Sequence, residues 1–328
     1  MVEASRKIVT HNDFDGIVSA AICSRALDVH RVMFTGPASI TRSQVPIDTG
    51  DIVCDLPYPL ACGLWFDHHA GNLEELKLRN IDPSSIPGRF ELKDSCARVV
   101  FEYFAERMEL PGHFPPMVDE ADIIDTFSYR TVDEWRKETP GRIISDSMKA
   151  QEPSPRQAVH YRRNLVQLLR DRPMEEVASR DFVLERFRSY RGDEERMLKL
   201  IRDAARFLPD DTEREIVILD LTRHNRKPTV VKNLAYMLYP DALAVLEVQN
   251  RFERGAKTNH LNFSMSLSLK LTGIEHRKDV GEIMSSLNLG DGHAGAAAGT
   301  LHCRSKAEML KKKEEMLNKI LGMWKGQK

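Results

Sequence analysis

Apolar runs of strand length alternate with polar loops and helical stretches through the first third of the chain. Residues 6–10 form a β-rich run that enters the loop His11-Asn12-Asp13-Phe14-Asp15-Gly16 directly, and residues 17–27 then show helical spacing. Residues 29–34, 51–56 and 63–67 read as three further strands. The stretch 95–108 predicts an amphipathic helix with Val99, Val100, Tyr103, Phe104 and Met108 on one side, and a second helix is expected over 116–125. Strands separated by helices predict a parallel sheet with helices on both faces.

From 153 to 207 the pattern turns almost wholly helical, rich in Arg, Glu and Leu, with Pro155, Pro173 and Gly192 as punctuation. Strand-like runs return at 215–221, 242–248 and 261–269, interleaved with helical stretches at 229–239 and 279–287. A capping box, Ser305 with Glu308, opens a last helix over 306–324. Its stripe Met309, Met316, Ile320 and Trp324 should dock on a core, and Lys311-Lys312-Lys313 should face solvent. The expected fold class is α/β: an N-terminal parallel-sheet domain over 1–209, including a helical connector at about 151–209, and a smaller C-terminal α/β domain over 210–328. A length of 328 residues is long enough for two cores and too long for a disulfide-stapled module.

Composition narrows the class without naming the chemistry. Hydrophobic residues at 41%, charged residues at 30% and a mean hydropathy of -0.41 exclude wholesale disorder and fibrous repeats. No apolar stretch approaches the ~20 residues a bilayer requires. No secretory signal is visible at the N-terminus, so the cytoplasm is the expected compartment. Cys23, Cys54, Cys62, Cys96 and Cys303 are scattered without C-x-x-C spacing and read as reduced core thiols. The net charge of -1 hides an asymmetry: residues 1–125 hold 11 Lys and Arg against 20 Asp and Glu, and the remainder hold 37 against 29.

In an open parallel sheet, ligands bind outside the carboxyl ends of the strands. His11, Asp13 and Asp15 follow the first strand, Asp55 the third, and Asp67, His68 and His69 the fourth, while the helix over 116–125 ends in Asp122 and Asp125. Singly, Asp15 reads as a helix cap, Asp55 as a turn residue before Pro57, and His68-His69 as a polar loop. Together they exceed what capping explains. Carboxylates crowded at one edge repel one another unless cations neutralise them. Imidazole with carboxylate and no thiolate suits Mn²⁺, Fe²⁺ or Zn²⁺ better than Ca²⁺, with Mg²⁺ the weaker guess. The number of ligands implies two divalent metal ions, which at ~3.5–4 Å apart can share a carboxylate and activate a water for attack on phosphorus.

His11-x-Asp13-x-Asp15-Gly16, Asp55, Asp67-His68-His69 and Asp125-Thr126 resemble the four ordered motifs of the DHH phosphoesterase superfamily. Gly290-Asp291-Gly292-His293 followed by Ala296-Ala297-Ala298-Gly299 resembles the glycine-histidine signature of its DHH-associated C-terminal domain. The resemblance spans residues 11–299. It implies that His11, Asp13 and Asp55 hold one metal and Asp15, Asp55, His68 and Asp125 the other, with Asp55 bridging and Asp122 the alternative to Asp125. It also implies that His69 sits by the substrate phosphate, that Asp67 orients its neighbours, and that Gly290, Gly292 and His293 reach the substrate. Three departures stand out: one residue separates His11 from Asp13 where the family often has three, Asp291 stands where a third glycine is usual, and 264–270 lacks an arginine.

The function expected is therefore a metal-dependent phosphohydrolase, with Mn²⁺ the first choice of cation, cleaving phosphodiester bonds of short oligonucleotides or small nucleotides. His69 or His293 would stabilise charge in the transition state. A phosphoanhydride hydrolase acting on polyphosphate or pyrophosphate is one alternative, and a non-catalytic nucleotide- or RNA-binding relative another. The basic loops Arg223-His224-Asn225-Arg226-Lys227 and 251–257, with Arg251 at the head of the second, offer a grip on the rest of a polyanion. Aromatic residues total 7% without interleaved basic residues, which favours short substrates over long duplex or a stacking platform. No membrane partner is expected, and a homodimer is left open.

Overall fold

In the computed structural model, which describes residues 6–327, five short strands form one parallel sheet. They are β1 (Ile8–Thr10), β2 (Val32–Phe34), β3 (Ile52–Cys54), β4 (Leu64–Asp67) and β5 (Gly88–Phe90), in the order β2-β1-β3-β4-β5. Both faces are buried, as a parallel sheet requires. Ile8, Ile52, Cys54 and Phe66 point to one face, under the helices Phe14–Leu27, Cys96–Ala105, Phe114–Asp125 and Pro155–Asp171. Val9, Val53 and Trp65 point to the other, against Ile40, Leu56, Leu76 and Ile86.

The expected strands are present but shorter, for identifiable reasons. Asp51 precedes β3 because its carboxylate is tied to β1's approach: Oδ1 accepts from the Lys7 N–H at 3.1 Å, and Oδ2 pairs with the Lys7 ammonium. Asp55 ends β3 by entering the left-handed region at φ 58°. The first helix begins at Phe14, earlier than its apolar spacing suggests, and its cap is Asp13, whose Oδ1 accepts from the Gly16 N–H at 3.0 Å. Asp15 is therefore not the cap. Gly16 is required here, since a β-carbon would lie 2.4 Å from the His11 carbonyl oxygen.

The chain divides into two compact units, one running to Ser128 with Lys137–Arg191, the other comprising Tyr129–Arg136 and the chain from Gly192. The division falls inside the helix Asp181–Ala204, within which Gly192 lies rather than punctuating. The helices Pro155–Asp171 and Met174–Ala178 give Tyr161, Leu165, Val166, Leu169, Met174 and Val177 to the first core.

The second unit is built on a mixed sheet of β6 (Ala205–Arg206), β7 (Ile216–Asp220), β8 (Ala244–Glu253), β9 (Ala256–Leu267), β10 (Gly290–His293) and β11 (Ala296–Leu301). The order is β10-β11-β9-β8-β7-β6, with β7 and β8 parallel and the other pairs antiparallel. Leu246, Val248, Phe263 and Met265 meet the helices Val280–Ser286 and Lys306–Gly326 through Ile283, Leu317, Ile320 and Trp324. Lys313 departs from the solvent-facing role expected of it: it is buried, with Nζ 2.5 Å from Asp220 Oδ2 and 3.2 Å from Thr222 Oγ1. The helix expected over 229–239 contracts to a 3₁₀ turn, Lys232–Leu234, and the short helix Ala235–Leu238, because the β-branched run Thr229, Val230 and Val231 disfavours helix. All five cysteines are free, and Cys62 alone of them is half-buried. No described helix is long and apolar enough to cross a membrane.

Candidate metal centre

With β2 and β3 on opposite sides of β1, the connections leaving β1 and β3 diverge, and the crevice between their carboxyl ends is the topological switch point where an open sheet binds ligands. His11 and Asp13 leave β1 at that crevice and Asp55 leaves β3 beside them. His11 Nδ1 stands 2.5 Å from Asp13 Oδ2 and 3.6 Å from Asp55 Oδ2. Across Asp55, His68 Nε2 lies 3.7 Å from Asp55 Oδ1, 3.8 Å from Asp15 Oδ2 and 3.5 Å from Asp125 Oδ2. The donor atoms thus gather in three overlapping groups, His11, Asp13 and Asp55 on one side, Asp15, His68 and Asp125 on the other, and Asp55, His68 and His69 joining them.

The tautomer of His68 is set by its other nitrogen. Nδ1 is 3.0 Å from the Lys93 carbonyl, which can only accept, so Nδ1 carries the proton and Nε2 presents a lone pair to the carboxylates. That Nε2 and Asp55 Oδ2 are both buried without a hydrogen-bond partner. A buried lone pair facing buried carboxylate oxygens is what a cation would satisfy, so the donor set fits divalent metal.

Electrostatics point the same way. Burial pushes Asp55 well above the usual carboxylate range, and Asp15, Asp13, Asp125 and Asp67 push it further. Asp15 is raised to about 8 by burial and by the charge of Asp125, and Asp125 to about 7 by burial and by Asp13. Asp13 differs: burial pushes it up, yet the hydrogen bond and charge of His11 hold it below its ordinary value. Crowded acids of this kind favour the ionised state only when positive charge is supplied.

Asp15 is fixed by two backbone donors that no side-chain motif reveals. Its Oδ2 accepts from the Cys96 N–H at 2.8 Å and its Oδ1 from the Ala97 N–H at 2.7 Å, at the N-terminus of the helix Cys96–Ala105. Asp122, the alternative fourth-motif ligand, faces elsewhere: it accepts from Ser95 Oγ at 2.6 Å and from Arg98 Nε at 2.9 Å. Asp125→Ala is accordingly expected to lower metal-dependent activity by roughly 10²-fold or more, about 2.7 kcal/mol at 1.36 kcal/mol per decade. Asp122→Ala should keep activity within a few-fold and cost about 1 kcal/mol of stability, since Arg98 loses its bonds to Asp122 but keeps Asp119 at 2.6 Å. Steady-state rates and denaturant melts of the two variants separate these outcomes, and the reverse pattern would assign the ligand to Asp122.

Asp67 is fully buried and orients His69: its Oδ1 accepts from His69 Nδ1 at 2.9 Å, while its Oδ2 accepts from Asn72 Nδ2 at 2.7 Å. Burial alone would depress His69, but the Asp67 carboxylate outweighs it and raises the imidazole to about 9. His69 is thus half-exposed, with Nδ1 held by Asp67 and Nε2 free of that bond. Asn72 and the Lys93 carbonyl escape sequence reasoning because neither belongs to a motif.

In the second unit, Gly290, Gly292 and His293 form β10, paired with β11 so that Gly290 faces Gly299 and Gly292 faces Ala297. The hairpin itself requires its glycines: a β-carbon at Gly290 would lie 2.2 Å from the Ala298 carbonyl oxygen, and one at Gly299 would lie 2.5 Å from the Leu289 backbone. Gly292 and His293 are exposed, and His293 Nδ1 accepts from the Gly295 N–H at 3.1 Å. Arg251 is half-buried and pairs with Glu253 at 3.1 Å.

This architecture is shared with solved structures. The pGpG-specific phosphodiesterase PggH from Vibrio cholerae is similar at a TM-score of 0.70 and 22% identity, over 97% of this chain and 99% of that one. An exopolyphosphatase-related protein from Bacteroides fragilis is similar at a TM-score of 0.53 and 10% identity, over 98% and 93% of the two chains. No family model matches the chain, and no curated protein matches it in sequence. The chain has the fold of these two proteins over nearly its whole length.

Proposed function

We propose that this chain is a two-metal phosphodiesterase acting on short oligonucleotides or small nucleotides. The observation that carries the reading is the pair of donor groups at the switch point, His11, Asp13 and Asp55 beside Asp15, His68 and Asp125, with Asp55 Oδ2 and His68 Nε2 buried and unpartnered. The fold shared with a phosphodiesterase of a linear dinucleotide supports the substrate class.

Two divalent cations, Mn²⁺ or Mg²⁺, would supply neutralisation of the phosphoryl oxygens and activation of the attacking nucleophile. Asp55 lies between the two groups and would contribute one oxygen to each. Asp13 and Asp125 provide the outer carboxylates, and His68 is held in the tautomer that leaves Nε2 free. His69, protonated through Asp67, can donate from Nε2 to a phosphoryl or leaving oxygen.

Full-length protein with Mn²⁺ should be assayed on a linear dinucleotide, a 3′,5′-bisphosphonucleoside, a cyclic dinucleotide and polyphosphate. The dinucleotide is expected to have the highest kcat/KM. Preference for polyphosphate would replace this reading with phosphoanhydride hydrolysis. Absence of turnover on all four, with Mn²⁺ binding shown by calorimetry, would overturn the enzymatic reading.

A further inference from the structure

Two adjoining cavities of about 720 and 670 Å³ lie in the second unit and share Lys257, Thr258 and Asn259 as a common wall. Their cations are unevenly matched. Lys312 is paired with Glu308 and Lys313 with Asp220. Arg223, Lys257, Arg304 and Lys306 also line these cavities, and among the described residues none has a carboxylate at ion-pair distance. Lys257 is held in place by donating to the Thr222 carbonyl at 2.7 Å, and Arg223 by donating to the Asp203 carbonyl at 2.9 Å. The two basic loops that are separate in sequence therefore meet at one groove.

The neutral side chains suit the same ligand. His260 Nδ1 accepts from the Cys303 N–H at 3.1 Å, so its ring proton resides on Nε2, a donor. His302 packs edge-on to it at 4.8 Å between ring centroids. Asn259 adds an amide able to bond sugar hydroxyls or bases, while the Thr258 hydroxyl is used internally, donating to the Arg251 carbonyl at 2.8 Å. The groove is distinct from the glycine-histidine hairpin. Ala296 pairs with Ser266 at the hairpin turn, whereas His260 and His302 lie beyond the Leu261–Leu301 pair at the other end of the same strands. Six residues of β9 separate the two places, roughly 20 Å at ~3.3 Å per residue.

We propose that this groove binds the sugar-phosphate backbone of a single-stranded oligonucleotide, as an anion site separate from the hairpin. Two connected cavities exceed what one phosphate fills, and unpaired cations along both match a ligand with charge repeated along its length. The choice of an oligonucleotide over another polyanion rests on the phosphodiesterase reading; the preference for phosphate rests on the groove alone.

The test uses full-length Asp55→Asn protein in EDTA, so that binding is read without turnover, and a fluorescein-labelled ten-nucleotide RNA. Binding is expected to weaken with salt. Adding Arg304→Ala and Lys306→Ala, both exposed positions, should weaken binding by about tenfold and reduce the slope of log K against log salt by about 1.4, at ~0.7 for each phosphate no longer neutralised. The same pair in the otherwise unchanged protein should leave Mn²⁺-dependent dinucleotide turnover as it was. Unchanged RNA affinity and slope in the double variant would overturn the proposal, as would polyphosphate binding that RNA cannot displace. Salt-dependent RNA binding sensitive to the two alanines, without Mn²⁺-dependent turnover of the RNA, the dinucleotide or the other three substrates, would support the groove and refute the phosphodiesterase reading.

Discussion

Replacing Asp55 with asparagine is expected to abolish metal-dependent hydrolysis, by roughly 10³-fold or more, while making the metal-free protein more resistant to heat. The rate loss corresponds to about 4 kcal/mol at 1.36 kcal/mol per decade. Asp55 alone belongs to both donor groups on the His11 and His68 sides, so its loss disturbs two cation positions at once. Asparagine suits the position because it tolerates the left-handed backbone at φ 58° and keeps the volume. The gain in stability follows from removing a carboxylate that four neighbouring acids oppose. Turnover assays with Mn²⁺ and thermal melts in EDTA read the two effects separately. Retained activity would refute the shared role of Asp55, and a lower melting temperature would refute the crowding argument.

The second large effect is a pH-dependent stabilisation by metal. Asp15 and Asp125 titrate at about 8 and about 7 in the fold, above the ~4 of an unfolded carboxylate. A carboxylate raised by burial and like charge costs the folded state nothing below its unfolded pKa, and the cost grows with pH until it levels off at the folded value. The metal-free protein should therefore lose stability between about pH 4 and 8. Cations require the deprotonated acids, so their binding strengthens across the same window. At pH 8, one ion at a hundredfold excess over its Kd contributes about 2.7 kcal/mol. That is a rise of roughly 5–10 °C in Tm at ~2–4 °C per kcal/mol for a unit of 150–250 residues. Calorimetry with Mn²⁺ and with EDTA from pH 5 to 8 should show the gap widening, and a constant gap would contradict the linkage.

Much of the site was legible because strand ends are local features. His11 and Asp55 follow apolar runs directly and Asp13 and His68 lie within three residues of such a run's end, so the hydrophobic pattern places them at one sheet edge, where the structure has them. What the pattern missed is what lacks its own periodicity. β5, with Gly88 and Arg89, shows no apolar alternation and forms because Trp65 and Phe66 offer it a partner. The residues of the β10 and β11 hairpin carry no apolar alternation, yet its glycines and alanines are what allow the two backbones to approach. Lys313 looked like one of three solvated lysines until β7 brought Asp220 beneath it, a contact across 93 residues of sequence. Likewise, Asp122 and Asp125 share one helix end, and only the position of Arg98 on a separate helix decides which of them turns away.

The two backbone donors that hold Asp15 give this carboxylate a mechanical duty besides its chemical one. The helix it caps, Cys96–Ala105, carries Tyr103 and Phe104 against Phe66 of the central sheet, at ring centroids of 5.0 and 5.8 Å. Alanine at position 15 would strand two buried N–H groups at about 1–3 kcal/mol each, and asparagine could satisfy only one of them with its single oxygen. Asp13 and His11, by contrast, sit at a half-buried rim. Loss of that rim would cost the first helix one cap bond, the one Asp13 accepts from Gly16, whereas loss of Asp15 would strand two buried donors. Substitution at Asp15 should thus cost the fold more than substitution at His11 or Asp13, whatever each contributes to the chemistry.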